Sequence, residues 1–391
     1  MFKVSLPIAL NQDTLHEENF EARFEQSDLL KALVNVCAAQ GENELNWIHM
    51  DFPGEGRAVL TAMNRFMSIQ SQITANYSGE GAIFVSGKQL LDYVKQLPSN
   101  EVVISADIPT RMTVRCGRSH ARMQLIQESR VPELNFQPES NTIKVKGAVL
   151  ERWINSFREF VMVDETRFYA NGALIGLNDG EKGLFAVATD SLRLAYSELD
   201  EDLEIINSVG GNVIVPRRTW EEVKRAANQE PDTIFEVSWK EGTQFFGISS
   251  PSYKLVCSCI AGKYPAWTAV VPKAENVTIP LPRKEVLDSL KRVLLFSDKH
   301  KVVRFQFNDK ILKIQCFTPG LKEGEETIEL DNPVPKSFEV NFSGGLMQGV
   351  LTNVLGDTVN FAWEDTAKQV KITGEDERGL NSFYLLVPTR Y

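Results

Sequence analysis

Residues 143–160, IKVKGAVLERWINSFREF, decide the fold, because their plan recurs twice more in the 391-residue chain. The segment starts as a short strand, passes a polar break and continues with apolar residues at the i, i+3, i+4 and i+7 positions of a helix. Residues 23–40 (RFEQSDLLKALVNVCAAQ) and 279–296 (IPLPRKEVLDSLKRVLLF) follow the same plan. The three copies align on equivalent leucines: Leu30, Leu150 and Leu287. Their spacings of 120 and 137 residues predict three repeated domains.

A second set of strand-then-helix segments lies between the first three. It comprises residues 82–97 (AIFVSGKQLLDYVKQL), 212–229 (NVIVPRRTWEEVKRAANQ) and 337–355 (SFEVNFSGGLMQGVLTNVL). The chain therefore contains six copies of one β-α unit, two per domain. The helices are predicted at residues 27–40, 86–97, 147–160, 216–229, 282–296 and 343–355.

Strands of alternating polarity follow each helix, as in RMTVRC at residues 111–116. Short Gly, Asn or Asp turns connect most of them, which favours antiparallel sheets. The predicted fold class is α+β, with three repeated domains that are each an internal pair of β-α-β units. Proline-bearing joints near 127–141 and 261–276 separate the domains. We predict an N-terminal extension over 1–22 and domains over 23–138, 139–270 and 271–391.

Composition excludes several classes of protein. The chain carries 42 Lys and Arg against 52 Asp and Glu, a net charge of −10, which disfavours a simple basic nucleic-acid binder. Its five scattered cysteines fit the reduced thiols of a cytosolic protein better than a disulfide framework. The N-terminus lacks a signal-peptide pattern, and no apolar run approaches the ~18 residues that span a bilayer. We therefore expect a soluble cytoplasmic protein without a membrane partner.

Catalytic and metal-binding signatures are missing from the sequence. There is no GxxxxGK[ST], GxGxxG, HExxH or GxSxG motif, and the four histidines are far apart. Cys257 and Cys259 suit a core strand better than a zinc site, because no second Cys/His pair accompanies them. Thr189 and Asp190 suit a turn that precedes Arg193 better than a catalytic pair. We predict that the protein is not an enzyme and needs neither a cofactor nor a metal.

Four segments carry a family resemblance: TRFYANGALIGLNDGEKGLFAVATDSLRLAYSEL (166–199), IVPRR (214–218), KYPAW (263–267) and YLLVPTRY (384–391). In their order they resemble the bacterial sliding clamp, the β subunit of DNA polymerase III. Departures from that family include Ser191-Leu192 in place of Gly and an aromatic or His, and Trp267 in place of Tyr. Residues 40–50 also lack the Pro and basic residue that the family carries after its first helix.

The resemblance implies a homodimeric ring that encircles double-stranded DNA without sequence preference, with helices inside and antiparallel sheets outside. It also implies a processivity factor in DNA replication that tethers the polymerase catalytic subunit and other proteins with short clamp-binding motifs. An ATP-driven clamp loader would open the ring. One alternative is a clamp-like scaffold that does not encircle DNA, and a second is a hydrolase or transferase on a repeated α+β frame.

The resemblance also assigns residues to sites. A partner-peptide pocket between the second and third domains is implied for Ala170, Thr189, Leu192, Leu194, Pro265, Val270, Leu385, Val387 and Pro388. DNA-facing positions are implied for Arg167, Phe168, Tyr169, Arg217 and Arg218, with Lys291 and Arg292 as further candidates. A dimer interface is implied for Met123 opposite Leu295 and Phe296.

Charge placement and size agree with such a ring. The six predicted helices carry a net charge of +5 and the remainder −15, which suits a basic lining that meets phosphates. The alternative explanation of this charge asymmetry is that helices favour Lys and Arg because both are good helix formers. Domains of ~130 residues have a hard-sphere radius near 18 Å, so six in a ring leave a hole of about 36 Å, whereas three leave about 5 Å. One chain is too small to encircle a duplex, and two suffice.

Overall fold

The computed structural model describes residues 20–40, 46–78, 81–128, 133–163, 169–178, 182–200, 202–297, 301–318, 322–374 and 380–389. Within these ranges the chain forms six α-helices and 26 strands. The chain divides into two compact units. One unit extends to Asn135 and includes Pro251–Leu255, and the other comprises Phe136–Ser250 and Val256–Tyr391.

Each of the six helices begins directly after a strand, which confirms the repeated β-α unit. The helices are α1 (Gln26–Cys37), α2 (Gly87–Val94), α3 (Gly147–Phe157), α4 (Arg217–Gln229), α5 (Arg283–Leu294) and α6 (Gly344–Asn353). The strands that precede them are β1 (Phe20–Glu25), β6 (Gly81–Ser86), β10 (Asn141–Lys146), β15 (Val213–Pro216), β19 (Val277–Pro282) and β23 (Phe338–Ser343). Five of the six predicted helices extend two or three residues beyond the observed C-terminal ends. The last predicted turn of several of them is irregular or 3-10.

The predicted alignment of the leucines is wrong by one residue. At the fourth helical position, α1, α3 and α5 carry Leu29, Leu150 and Val286, and all three are fully buried. Leu30 and Leu287 occupy the fifth position and are more exposed. Residue type aligns Leu30 and Leu287 with Leu150. The strand that precedes each helix fixes which helical position points inward, and this places Leu29 and Val286 there instead.

The first unit contains two sheets. Its remaining strands are β2 (Trp47–Phe52), β3 (Arg57–Met63), β4 (Met67–Thr74), β5 (Asn76–Ser78), β7 (Glu101–Asp107), β8 (Arg111–Cys116) and β9 (Ser119–Gln124). One sheet has the order β6-β2-β3-β4 and the other β5-β1-β7-β8-β9. Strand β1 begins three residues before the predicted start of the first domain, because Phe20 pairs with Ala106 of β7.

The second unit repeats this plan twice. The strands of its first half are β11 (Gly172–Leu177), β12 (Leu184–Thr189), β13 (Arg193–Leu199), β14 (Leu203–Asn207), β16 (Ile234–Lys240) and β17 (Phe245–Ser249), followed by β18 (Tyr253–Ser258) at the unit boundary. The strands of its second half are β20 (Val302–Asn308), β21 (Ile311–Thr318), β22 (Lys322–Glu329), β24 (Thr358–Trp363), β25 (Val370–Gly374) and β26 (Leu380–Leu386). The orders β15-β11-β12-β13 and β23-β20-β21-β22 reproduce β6-β2-β3-β4.

Aromatic clusters fill the space between helices and sheets. In the first half of the second unit, Trp153 and Phe157 of α3 meet Trp220 of α4 edge to face, with ring centroids 5.7 and 5.2 Å from that of Trp220. All three side chains are fully buried. Such pairs stabilise a core beyond the area that they bury, so the two helices of this domain are fixed against each other.

A buried histidine makes the stability of the first unit depend on pH. His49 on β2 is buried, with its ring 4.7 Å from the Phe84 ring. Burial lowers its pKa below the ordinary value of 6.5, although Asp51 opposes the shift. The unfolded chain therefore binds a proton more readily, and stability is lost as the pH falls below about 6.5.

We expect His49→Gln to reduce the loss of unfolding free energy between pH 7.5 and 5.5. Urea titrations of the wild type and the variant at both pH values, followed by tryptophan fluorescence, measure the difference. An equal loss in both proteins would show that another group carries this pH dependence.

Candidate functional site

The C-terminal strand joins two distant parts of the second unit. Strand β26 pairs with β13 in an eight-stranded antiparallel sheet, which places Leu194 opposite Leu385. Beyond the strand, the Val387 amide donates a hydrogen bond to the Leu192 carbonyl at 3.0 Å. Residues almost two hundred positions apart in sequence thereby form one surface.

This surface has an apolar floor. Its buried members are Val187, Leu194, Ile214, Tyr264 and Leu385, and partly buried side chains that include Trp267, Val271 and Phe383 pack against them. The Tyr264 hydroxyl donates to the Val187 carbonyl at 3.1 Å, and burial raises the pKa of this phenol, so it remains a neutral donor. The floor therefore contains little that is charged.

Stacked rings form one side of the floor. The ring of Tyr196 lies 5.0 Å from that of Phe383 and 5.4 Å from that of Trp267, with interplanar angles of 13° and 30°. Trp267, which departs from the family pattern, thus extends an existing stack. Sequence reasoning missed Tyr196, Trp267 and Phe383, although the spacing of two residues between Leu194 and Tyr196 on β13 is a signal that they share a face.

Three of the predicted pocket residues are exposed apolar side chains next to floor segments. Leu192 is 55% exposed, Val270 49% and Val387 47%. Exposed apolar groups that cluster beside a buried floor are typical of a docking surface. We call the floor and these three residues the apolar groove.

The other predicted pocket residues have supporting positions. Thr189 donates from its hydroxyl to the Arg193 carbonyl at 2.8 Å and accepts from the Ser191 amide at 3.1 Å. Pro265 and Pro388 are half-buried. Ala170 is buried, and its carbonyl accepts from the Met162 amide at 3.1 Å.

The turn between β12 and β13 is held by Asp190. Its Oδ1 accepts from the amides of Leu192 and Arg193 at 3.1 and 3.0 Å, and its Oδ2 accepts from Arg193 Nε at 2.8 Å. The interpretation of Asp190 as a turn carboxylate is confirmed. Ser191 has φ of 75°, a left-handed conformation that favours glycine.

The first unit contains the same turn without the same floor. Asn64 Oδ1 accepts from the amides of Phe66 and Met67 at 2.7 and 2.8 Å, so Phe66 corresponds to Leu192. The register Met63↔Ser68 likewise corresponds to Thr189↔Leu194. Where β12 and β13 carry Val187, Leu194 and Tyr196, β3 and β4 carry Thr61, Ser68 and Gln70. Phe66 is an exposed apolar side chain of this hairpin, but polar side chains occupy the three positions that form the floor in the other hairpin.

The structure describes five of the seven predicted DNA-facing residues. Arg167 and Phe168 lie outside the described residues, and Tyr169 is half-buried. Arg218 is exposed at the start of α4. The exposed Lys291 on α5 lies 3.5 Å from Asp288.

Two of the predicted arginines make structural bonds. Arg217 donates to the Val161 carbonyl at 2.9 Å and to Glu221 at 3.3 Å. Arg292 donates from Nε and Nη2 to the two carboxylate oxygens of Glu326 at 2.9 and 2.7 Å. A phosphate would have to displace Glu326 to reach the same fork.

Helix charge is concentrated in two helices. With the observed bounds, the six helices carry eleven Lys and Arg against seven Asp and Glu, a net +4. Helices α4 and α5 supply the whole excess, at +2 each, whereas the other four are neutral.

The predicted interface residues lie at sheet edges or beside them. Leu295 and Phe296, which follow α5, are 76% and 43% exposed. Phe296 covers Gly324 on the edge strand β22, where a Cβ atom would lie 2.9 Å from the Phe296 ring. Met123 is half-buried on β9, which is an edge strand of the first unit.

Other kinds of site find no support in the described part of the chain. It contains no group of three or more His, Cys, Asp or Glu that could hold a metal ion. Cys257 and Cys259 are buried free thiols, as predicted for a core strand. None of the helices that the structure describes has the length and apolar character needed to cross a membrane.

Comparison with known proteins decides the family. Models of the N-terminal, central and C-terminal domains of the DNA polymerase III beta subunit match residues 45–135, 144–266 and 268–390. The chain belongs to the DNA polymerase III beta-subunit family. The three matches follow the three predicted domains, and the third begins three residues before position 271.

Curated relatives and solved structures agree with this assignment. The beta sliding clamp of Caulobacter vibrioides is 26% identical over 377 residues, which cover 94% of this chain and 98% of the relative. The beta sliding clamp of Pseudomonas aeruginosa is 26% identical over 312 residues, which cover 79% and 82%. A solved sliding clamp from P. aeruginosa, bound to griselimycin, has a TM-score of 0.86 at 22% identity and covers 96% of this chain and all of that chain. The beta-subunit chain described here thus has the sliding-clamp fold.

Proposed function

We propose that this beta-subunit homologue is a DNA-encircling processivity factor that docks replication proteins in the apolar groove. The observation that carries the proposal is the groove itself. The buried members of its floor come from four separate segments of the chain, and its residues Leu192, Val270 and Val387 are about half exposed. Short peptides with two or three apolar anchors are the ligands that fit such a surface.

The partners that we propose are the polymerase catalytic subunit, an ATP-driven clamp loader and other proteins with short clamp-binding motifs. The proposed partner-peptide site comprises the predicted groove residues Leu192, Leu194, Val270, Leu385 and Val387, together with the supporting Ala170, Thr189, Pro265 and Pro388. The protein itself would catalyse no reaction and would act in the cytoplasm, where replication takes place. The domain boundaries proposed for it are 138/139 and 270/271.

We propose a head-to-tail homodimer in which β9 of one copy pairs with β22 of the other. Among the described strands both lie at the edge of a sheet, where a strand of another chain can pair with them. Strand β9 and the residue before it carry exposed Arg118, His120 and Arg122. Strand β22 carries exposed Glu323, Glu325 and Glu329. These opposite charges favour pairing between unlike strands over pairing of like with like.

The two faces of these strands support the same pairing. On β9, Met123 is cross-strand from the buried Met112, so it lies on the core side of the sheet. On β22, Gly324 lies under Phe296, which marks the core side of that sheet. A continuous sheet would place Met123 beside Leu295 and Phe296 on one face and the charged side chains on the other. This arrangement gives an apolar centre and a polar margin, as in stable interfaces.

Inside the proposed ring, Arg218 and Lys291 are exposed cations of the two basic helices, and Lys291 would exchange its ion pair with Asp288 for a phosphate. We retain Tyr169, Arg167 and Phe168 as proposed DNA-facing positions. The guanidinium groups of Arg217 and Arg292 bond carboxylates. We therefore propose that these two arginines hold their helices in position rather than contact phosphates themselves.

The test of encirclement is retention on circular against linear duplex after loading by the cognate loader. We expect clamps to remain on closed circles in high salt and to leave after linearisation, because topology holds them. Loss from intact circles in salt would identify an ordinary electrostatic binder. A stable monomer in solution would favour the clamp-like scaffold that does not encircle DNA.

Arg218→Glu combined with Lys291→Glu should slow loading and weaken binding to linear DNA several-fold, while retention on circles stays unchanged. Each exposed contact contributes ~1 kcal/mol or less, so neither holds the threaded ring. Lys254→Glu with Lys310→Glu, both exposed on or beside sheet strands, is the control and should load normally. Equal defects in both double variants would show that net charge, not the helix surface, controls loading.

A further inference from the structure

Arg193 connects the groove to a second domain. Its guanidinium bonds Asp190 of the turn, donates from Nη2 to the Glu159 carbonyl at 2.8 Å and lies 4.6 Å from the centre of the Phe160 ring. The side chain is only 13% exposed. It is therefore a mostly enclosed part of the framework behind Leu192, rather than a residue of the groove's rim.

Helix α6 of the C-terminal domain abuts this guanidinium at Gly349. A Cβ atom at Gly349 would lie 2.5 Å from Arg193 Nη1, closer than real Cβ atoms approach a neighbour. Arg193 thus occupies space that any side chain at this position would take. A glycine inside a helix costs stability, and here it leaves room for the Arg193 guanidinium, the flexible end of a long side chain, which a Cβ atom would push aside.

A second route links the same elements. The Phe160 ring, which Arg193 covers, lies 5.1 Å from the ring of Tyr384 on β26. The Tyr384 hydroxyl donates to the carbonyl of Asn353, the last residue of α6, at 3.1 Å. Both routes join α6 to the two strands, β13 and β26, from which the groove is built.

We propose that Arg193 is a positioning residue, seated by Gly349 of α6, that sets the Leu192 turn for partner binding. This inference rests on the proposed docking function of the groove. A displaced guanidinium would lose its bond to Asp190 Oδ2, and the Asp190 side chain is what orders the amides of Leu192 and Arg193. The affinity of the groove is thereby coupled to the position of a helix in the next domain.

The chain itself supplies two matched variants. Gly345, on the same helix, has no heavy atom within 4 Å of a Cβ placed on it, so Gly345→Ala is the control for Gly349→Ala. In the corresponding turn of the first unit, the position of Arg193 is occupied by the buried Met67. Arg193→Met therefore keeps an apolar stem over Phe160 while it removes the guanidinium.

The experiment measures the affinity of a fluorescein-labelled ten-residue peptide from the cognate polymerase subunit that contains its clamp-binding motif. We expect Gly349→Ala to weaken binding about tenfold, as for the loss of one charged hydrogen bond. Gly345→Ala should leave affinity unchanged. Thermal unfolding should show that both variants remain folded, with Gly345→Ala at least as stable as the wild type because alanine favours helices, and with the same gain at position 349 offset by the displacement of Arg193.

The double variant distinguishes positioning from general damage. Once Arg193→Met has removed the guanidinium, Gly349→Ala should reduce the affinity for the peptide no further, so the effects of the two substitutions are not additive. Additive losses, or an effect of Gly345→Ala equal to that of Gly349→Ala, would overturn the inference. If the wild type did not bind the peptide, the proposed docking function of the groove would be wrong as well. If the wild type bound normally and the two substitutions had additive effects, only the role of Arg193 would be wrong.

Discussion

Replacing Leu295 and Phe296 with alanine is expected to convert the proposed ring into folded monomers. Both side chains are large, apolar and exposed at 76% and 43%. Truncation of central interface anchors commonly costs ~2 kcal/mol or more each. A head-to-tail dimer contains the same contact twice, so each substitution weakens two interfaces. Sedimentation velocity at micromolar concentration measures the change.

Two single variants separate assembly from folding. Leu295→Ala removes an exposed side chain, whereas Phe296→Ala also uncovers Gly324 on β22. The leucine variant should therefore retain the thermal stability of the isolated chain while it weakens the dimer. Ile206→Ala, another exposed apolar truncation on the second unit, is the control and should remain dimeric. An undiminished dimer in the double variant would contradict the placement of these residues at the interface.

The fold could be predicted because its information is local and repeated. Apolar residues recur at helical spacing in six places, and each pattern follows a short strand, so both the element types and their order were readable. The ends of the helices and the exact alignment of Leu30 and Leu287 were not readable. They depend on the strand that fixes the first turn of each helix, as the burial of Leu29 and Val286 demonstrates.

The groove could be predicted only through family resemblance, and the reason is physical. Leu194 and Leu385 are each as buried as ordinary core residues, and neither is distinctive in sequence. Their proximity arises from the pairing of β13 with β26, which local alternation of polarity does not reveal. For the same reason the pattern of α5 did not show that Arg292 bonds Glu326, because β22 lies beside the helix only after folding.

Comparison of the two hairpins predicts how many peptides each chain binds. The polar Thr61, Ser68 and Gln70 lie where the groove carries Val187, Leu194 and Tyr196. A peptide seated there would lose the apolar contacts that offset the entropy of ordering it. Calorimetric titration with the polymerase peptide should therefore give one site per chain, with a micromolar dissociation constant.

Leu192→Asp combined with Val387→Asp is expected to lower the affinity for that peptide more than a hundredfold, while the protein remains folded and dimeric. Both side chains are about half exposed, so a carboxylate is tolerated in the free protein, but peptide binding would bury it against apolar anchors. Deletion from Leu385 onward is a poorer test, because β26 lies between β13 and β25 and the deletion would remove the buried Leu385 and Leu386 from it. Val209→Asp, at an equally exposed valine outside the groove, is the matched control. If the double variant bound the peptide as tightly as the Val209 control, the partner site would lie elsewhere on the clamp, even if the ring were retained on circular DNA.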